Sequence, residues 1–265
     1  MNKIKVGGDP EMFVSDGINV VHAIGKIGGT KGFPVPVNKG GLEEDNVLAE
    51  ITFDAADNPE DFLENIRTVM HQLSERLRGV RLQVVPDMAS FVYNPEVLNG
   101  FPEEAFVFGC TPDFDAFSNT QNPSPEASSL LRTAGGHVHI GYEKPSKVTS
   151  RKIALMCDYL LGLPSVLEDV SIGAERRKEL YGKASCIRYK PYGVEYRTLS
   201  NYWIWSDALV KVVHERATLA ALNYKMLPLL QSIVPQEEVR RIINENDKVS
   251  AQAVLTTLKA ATNIF

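Results

Sequence analysis

The sequence is short of several things, and each shortage excludes something. Its 265 residues hold three cysteines, Cys110, Cys157 and Cys186. An odd count without C-x-x-C spacing argues against a zinc ribbon or a disulfide scaffold and fits a reducing cytosol. No apolar run approaches the ~18 residues of a membrane span, and Met1 to Lys5 leads into Gly-Gly-Asp-Pro-Glu, not into the hydrophobic stretch of a secretory signal. Basic residues are in deficit: 28 Lys+Arg against 33 Asp+Glu give a formal net charge of -5, so nucleic acid is disfavoured as the main partner. No linker, repeat or low-complexity block divides the chain. Neither GxxxxGK[ST] nor GxGxxG occurs; Gly25-Lys26-Ile27-Gly28-Gly29-Thr30-Lys31-Gly32 reads as a turn, with a phosphate-covering loop left open.

What is present is a hydrophobic content of 44%, ample for one core that buries ~70% of the unfolded surface. The clearest predicted helix covers 58–78. Asn58 can cap it, Pro59 suits its first turn, and Phe62, Ile66, Val69, Leu73 and Leu77 recur at helical spacing. A strand over 81–85 should follow, then helices over 150–161, 206–230, 235–246 and 250–262. Strand runs followed by helices predict α+β architecture in a single domain, 1–265, strand-rich over 1–205 and helical over 206–265.

The informative segments are strands with polar groups where alternation would bury them. In Gly135-Gly136-His137-Val138-His139-Ile140-Gly141-Tyr142, a period of two puts both imidazoles on one face and Val138, Ile140 and Tyr142 on the other. With the apolar trio toward a core, the histidines face water or a site, and neutral imidazole is a common metal ligand. In Val47-Leu48-Ala49-Glu50-Ile51-Thr52-Phe53, Glu50 sits among apolar neighbours, where a carboxylate needs a metal or an arginine. Asp9 and Glu11 share a face near the N-terminus, but Pro10 between them marks an edge or bulge, and an edge leaves acids less buried. Glu195 and Arg197 share another face. Alone they read as a cross-strand ion pair; with Arg177, Lys183 and Arg188 upstream they read as a phosphate site.

If these strands are neighbours, Glu11, Glu50, Glu195, His137 and His139 line one cavity facing Arg188 and Arg197. A carboxylate-rich set with few nitrogens suits Mg²⁺ or Mn²⁺ better than zinc. Such ions bridging nucleotide phosphates, with arginines beside them, are the apparatus of phosphoryl transfer.

Five landmarks occur in one order: Gly8-Asp9-Pro10-Glu11-Met12-Phe13, Glu44-Asp45 through Glu50, Cys110-Thr111-Pro112-Asp113, Gly135-Gly136-His137-Val138-His139-Ile140-Gly141, and Gly193-Val194-Glu195-Tyr196-Arg197. In these the chain resembles the phage-encoded carboxylate–amine ligases (COOH-NH2 ligase type 2), relatives of glutamine synthetase and glutamate–cysteine ligase. The resemblance runs from residue 7 to about residue 205; the C-terminal helices carry no matching motif. It implies a glutamine-synthetase-like α+β fold, in which a curved antiparallel sheet forms a half-barrel with helices behind. It also implies ATP, two or more Mg²⁺ (or Mn²⁺) ions, and an amide or peptide-like bond made through an acyl phosphate. Glu11, Glu50, His137 and Glu195 would hold metal, with His139 beside them. Arg188 and Arg197 would contact phosphate or the substrate carboxylate, helped by Arg177 and Lys183, and Asp45 or Asp113 would take the amine's proton. The substrates would be a small-molecule or peptide carboxylate and an amine, in the cytoplasm (the host's, if phage-encoded), with no membrane partner. Segment 114–125, rich in Asn, Ser and Pro, reads as a lid or as a plain surface loop.

Other chemistries fit the residues less well. A metal hydrolase opening on HxH needs further histidines, and only His214 follows, on a predicted helix. A cupin is matched at the start by His137, His139 and Glu143, but its next glycine and second-motif histidine are missing. A binding protein that has lost its chemistry is the reading from another class. Against it, no metal or phosphate position has become apolar. His22 and His71 read as surface groups, Trp203 and Trp205 as packing beneath the site strand, and Cys157 as core. Cys110 and Cys186 have no paired base in sequence.

Overall fold

The computed structural model describes residues 3–107, 113–123 and 130–265. Positions 110–112 of the Cys-Thr-Pro-Asp landmark and the end of segment 114–125 lie outside them. The architecture is mixed α+β around one open ten-stranded sheet. Its order is Thr120–Gln121, Phe114–Asp115, Cys186–Lys190, Gly193–Tyr196, Val138–Tyr142, Ile4–Gly8, Leu48–Ala56, Gly40–Asp45, Val35–Val37, and Glu11–Met12 also pairs with Leu48–Ala56. Every pairing in it is antiparallel.

Alternation decides what the sheet buries. Val6, Val138, Ile140, Val194 and Tyr196 are wholly buried, and the intervening residues carry the polar groups described below. The helix Pro59–Gly79 covers the apolar face. Asn58 caps it by accepting the Asp61 N–H at 2.9 Å, with Glu60 and Asp61 at its positive end. Its Phe62, Ile66, Val69, Leu73 and Leu77 are fully buried, a stripe contributing on the order of 10 kcal/mol as an upper bound. Helix Asp207–Leu222, capped by Ser206, packs beside it.

Three expected elements differ. The strand expected over 81–85 shrinks to Gln83–Val84, because Leu82 N–H returns to Leu77 O at 2.9 Å and closes the helix end. The helix expected over 150–161 starts earlier, at Lys147 behind a Ser146 cap, and Lys147–Cys157 runs into a π-helical turn, Asp158–Gly162. That wider turn brings the fully buried Asp158 to the Ser185 N–H and Tyr196 OH, both at 2.8 Å, and to Gln236 Nε2 at 2.9 Å. The helix expected over 206–230 stops at Leu222. A 3₁₀ turn, Tyr224–Met226, and a new helix, Leu227–Ile233 with Pro228 in its first turn, replace its last stretch. The last two helices, Gln236–Glu245 and Lys248–Ala261, lie near their expected bounds. Segment 114–123 forms a small hairpin at the sheet edge. Among the described residues no helix is long and apolar enough to cross a membrane.

Candidate active site

The polar face of the sheet gathers groups from six strands. Cross-strand register does the first part: His139 is opposite Glu195, and Glu195 is opposite Arg188. Glu195 has no exposed side-chain surface, and Lys190 Nζ lies 2.7 Å and Arg188 Nη1 3.2 Å from its oxygens. Arg197 Nη1 donates to it as well. Burial and Asp9 push the Glu195 carboxyl upward, but Arg197, His137 and His139 outweigh them and hold it at about 2.

Asp9 is the centre of this cluster, a role the sequence did not reveal. Pro10 marks a swerve of the chain, not an exposed edge. Pairing shifts between Val6 and Gly8, and Glu11–Met12 then continues along the same partner strand. Asp9 is therefore buried, 3.1 Å from His137 Nδ1 and 3.1 Å from His139 Nε2. Burial opposes its ionisation, yet His139 and His137 hold it well below the usual carboxylate range. Tyr192 OH meets His139 Nδ1 at 2.9 Å. His139 Nε2 is buried and faces Asp9 Oδ2 at 3.1 Å and Glu195 Oε2 at 3.9 Å. Ligand atoms of Asp9, His139 and Glu195 all lie within 4.8 Å of one another.

A second set meets by the same register rule. Glu11 is opposite Glu50, and Glu50 is opposite Glu43, a row of three carboxylates across adjacent strands. Like charges so placed destabilise a sheet unless a cation or a proton intervenes. Burial, then Asp9, Asp45, Glu11 and Glu43, pushes Glu50 well above the usual carboxylate range, and burial also raises Glu11. Glu11, Asp45 and Glu50 again offer three oxygens within 4.8 Å of one another. Asp45 receives the Lys31 ammonium at 2.6 and 2.7 Å.

Two glycines make the approach of these groups possible. A Cβ on Gly135 would stand 2.5 Å from His137 Nε2, and one on Gly136 would stand 2.3 Å from Ser200 O and 2.7 Å from Trp203 Nε1. Trp203 packs there and donates to Gly136 O at 3.0 Å. Gly135 N–H in turn donates to Glu11 Oε2 at 2.6 Å.

Two cavities open near these groups. One, of about 60 Å³, is lined by residues that include Glu11, Lys31, Asp45, Asp113, Arg132, His137, Arg177 and Arg197. The other, of about 590 Å³, is lined by Gly7, Gly8, Phe53, His139, Gly141 and Tyr192 with Lys3 and Lys5.

The structure thus brings together Glu11, Glu50, His137, His139, Glu195, Arg188, Arg197, Asp45 and Asp113. Asp113 accepts from Cys186 Sγ at 2.9 Å and lies 3.4 Å from Arg197 Nε. Arg177 reaches the cavity but donates to Ala134 O at 3.0 Å and Thr198 O at 2.9 Å, so it braces backbone. Lys183 is exposed and lines neither cavity. Sequence reasoning passed over Asp9, Lys31, Glu43, Lys190, Arg132 and Tyr192. Only Asp9 and Lys31 carried a signal, the first in the Asp-Pro-Glu landmark and the second inside the glycine-rich loop. His22, expected at the surface, is half-buried against Phe101 with ring centroids 4.7 Å apart.

A search of curated proteins finds no match to the chain. Among solved structures it is similar to GmaS in its apo form without ligand, at 11% identity and a TM-score of 0.44, with 98% of this chain and 68% of that one covered. A family model, "Phage phiEco32-like COOH.NH2 ligase-type 2", matches residues 131–262. The matched stretch holds His137, His139, Arg188, Glu195 and Arg197; Asp9, Glu11, Lys31, Asp45 and Glu50 precede it. Over residues 131–262, just under half of its length, the chain is similar to the phage phiEco32-like carboxylate–amine ligases of type 2.

Proposed function

We propose that the protein is an ATP- and Mg²⁺- (or Mn²⁺-) dependent ligase that joins a small-molecule or peptide carboxylate to an amine, acting in the cytoplasm. One observation carries this reading: two three-ligand clusters stand on the sheet, with Glu11 and Asp45 of one lining the smaller cavity and His139 of the other lining the larger. The donor set fits hard divalent ions. It is five carboxylates and one imidazole, with His139 Nε2 turned toward Asp9 and Glu195 and Glu50 crowded by like charge. Divalent ions held there would neutralise the phosphates of ATP and the charge spread over the phosphoryl group in flight.

The larger cavity, at about 590 Å³, is within the usual range for a small-ligand site, roughly 300–1,000 Å³. Gly7 and Gly141 let a flat base lie close to the sheet, Phe53 and Tyr192 offer ring faces, and Lys3 and Lys5 add positive charge. This is the place for the nucleoside. The smaller cavity, with Arg132, Arg177, Arg197 and Asp113, takes the carboxylate and the amine. Arg197 and Arg188 orient the transferred group, and Lys190 balances the charge of Glu195 as that group departs. Asp113, ready to accept a hydrogen bond beside Arg197, takes the amine's proton as the acyl phosphate is consumed.

The test is a nucleotide assay on purified protein. ADP should appear only when Mg²⁺, a carboxylate and an amine are all supplied, and Glu195→Gln should abolish it. ATP bound but never turned over with a broad amine panel would mark a binding protein. A single transition metal held without nucleotide would overturn both.

A further inference from the structure

The cluster of Glu11, Asp45 and Glu50 already carries a cation. Lys31 Nζ bridges both oxygens of Asp45, at 2.6 and 2.7 Å, and its charge also acts on Glu11 and Glu50. The loop that delivers it is pegged in place. The Glu44 carboxylate accepts the N–H groups of Gly25, Lys26, Ile27 and Gly28 at 2.8 to 3.2 Å, and Glu43 accepts that of Gly32 at 2.6 Å. Gly29, at φ 77°, lies so near the strand Gly40–Asp45 that a Cβ would stand 2.5 Å from Leu42 O. With the backbone fixed on both flanks, the part left to move is the lysine arm, whose side chain is 47% exposed.

Two further facts bear on that arm. It lines the cavity of about 60 Å³, well below the roughly 300–1,000 Å³ usual for a small-ligand site. It also sits on Asp45, one of three oxygens placed to hold a divalent ion. An ammonium and a divalent cation cannot share that carboxylate without strong repulsion.

We infer that Lys31 is a built-in cation that holds Glu11, Asp45 and Glu50 together until a divalent ion takes its seat, and that the displaced arm opens the smaller cavity. The inference rests on the proposed metal role of these acids. It makes Lys31 a positioning residue whose release couples ion binding to substrate entry.

The experiment is Mn²⁺ binding to the full chain, followed by the electron paramagnetic resonance signal of the free ion. Lys31→Met should tighten one bound Mn²⁺ about tenfold, because the ion no longer competes with an occupied seat. Lys31→Arg should keep wild-type affinity. In the Asp45→Asn background, where the seat is gone, Lys31→Met should change affinity less than about twofold. Unchanged affinity in Lys31→Met would overturn the inference, as would an equal gain in the Asp45→Asn background, since that is general electrostatics without exchange. Two Mn²⁺ ions bound with no response to Lys31 leave the metal reading standing alone. No Mn²⁺ bound by any variant defeats the metal reading, and the inference with it.

Discussion

Glu50 and Glu195 are both buried glutamates in one sheet, and they titrate in opposite directions. Around Glu195 stand Arg188, Lys190, Arg197 and two imidazoles, so the ionised form is favoured and the carboxyl is held at about 2. Around Glu50 stand Asp9, Asp45, Glu11 and Glu43, so burial is reinforced and the carboxyl is raised. Burial alone therefore predicts nothing about charge; the neighbours decide. The charge of Glu195 is met by the protein's own cations, whereas among the described residues around Glu50 the carboxylates outnumber the one cation, Lys31.

Breaking the set around Glu195 should cost most. Glu195→Leu leaves Arg188, Lys190 and Arg197 without their shared acceptor and should destabilise the protein by about 3–5 kcal/mol in chemical denaturation. Next, Gly135→Ala drives a methyl into the His137 ring and should weaken Mn²⁺ binding by roughly 10–100-fold, read by titration, because it misplaces a ring beside the ligands.

Glu50→Gln sharpens the contrast through its sign. A carboxyl raised in the folded state binds more protons folded than unfolded, so its contribution to stability falls as pH rises from ~4.5 through the folded value. The variant should thus melt higher by about 2–4 °C at pH 8 without metal, match the wild type near pH 4, and lose the stabilisation that Mg²⁺ gives the parent. Glu195, shifted the other way, contributes stability above ~4.5 that disappears as pH drops toward about 2. The smallest effect is expected from Tyr192→Phe. Losing the 2.9 Å contact to His139 Nδ1 should relax the ring and weaken Mn²⁺ binding severalfold, with a thermal midpoint close to that of the parent.

The legible parts of the site were those with strong local pattern. His137 and His139, with Val138 and Ile140 between them, declare a two-faced strand whatever lies beside it. Glu195 and Arg197 do the same. Lys183 shows the limit: it reads as a phosphate helper in a basic stretch, yet the backbone turns it to solvent. Arg177 shows another. It is buried where it was looked for, but its donors go to backbone carbonyls. Asp9 was visible and undervalued, since Pro10 signals a break in pairing without saying that the chain resumes along the same neighbour.

By itself the sequence determined which residues face the core and which face away, because side-chain direction follows the period of the local backbone. It determined the capped helix after Asn58 in the same way. Only the tertiary structure decided that Glu11, Glu43 and Glu50 stand in one row, and that Lys31 reaches Asp45. Those facts depend on strand order and register between segments far apart in the chain, and no local spacing encodes the partner across a sheet.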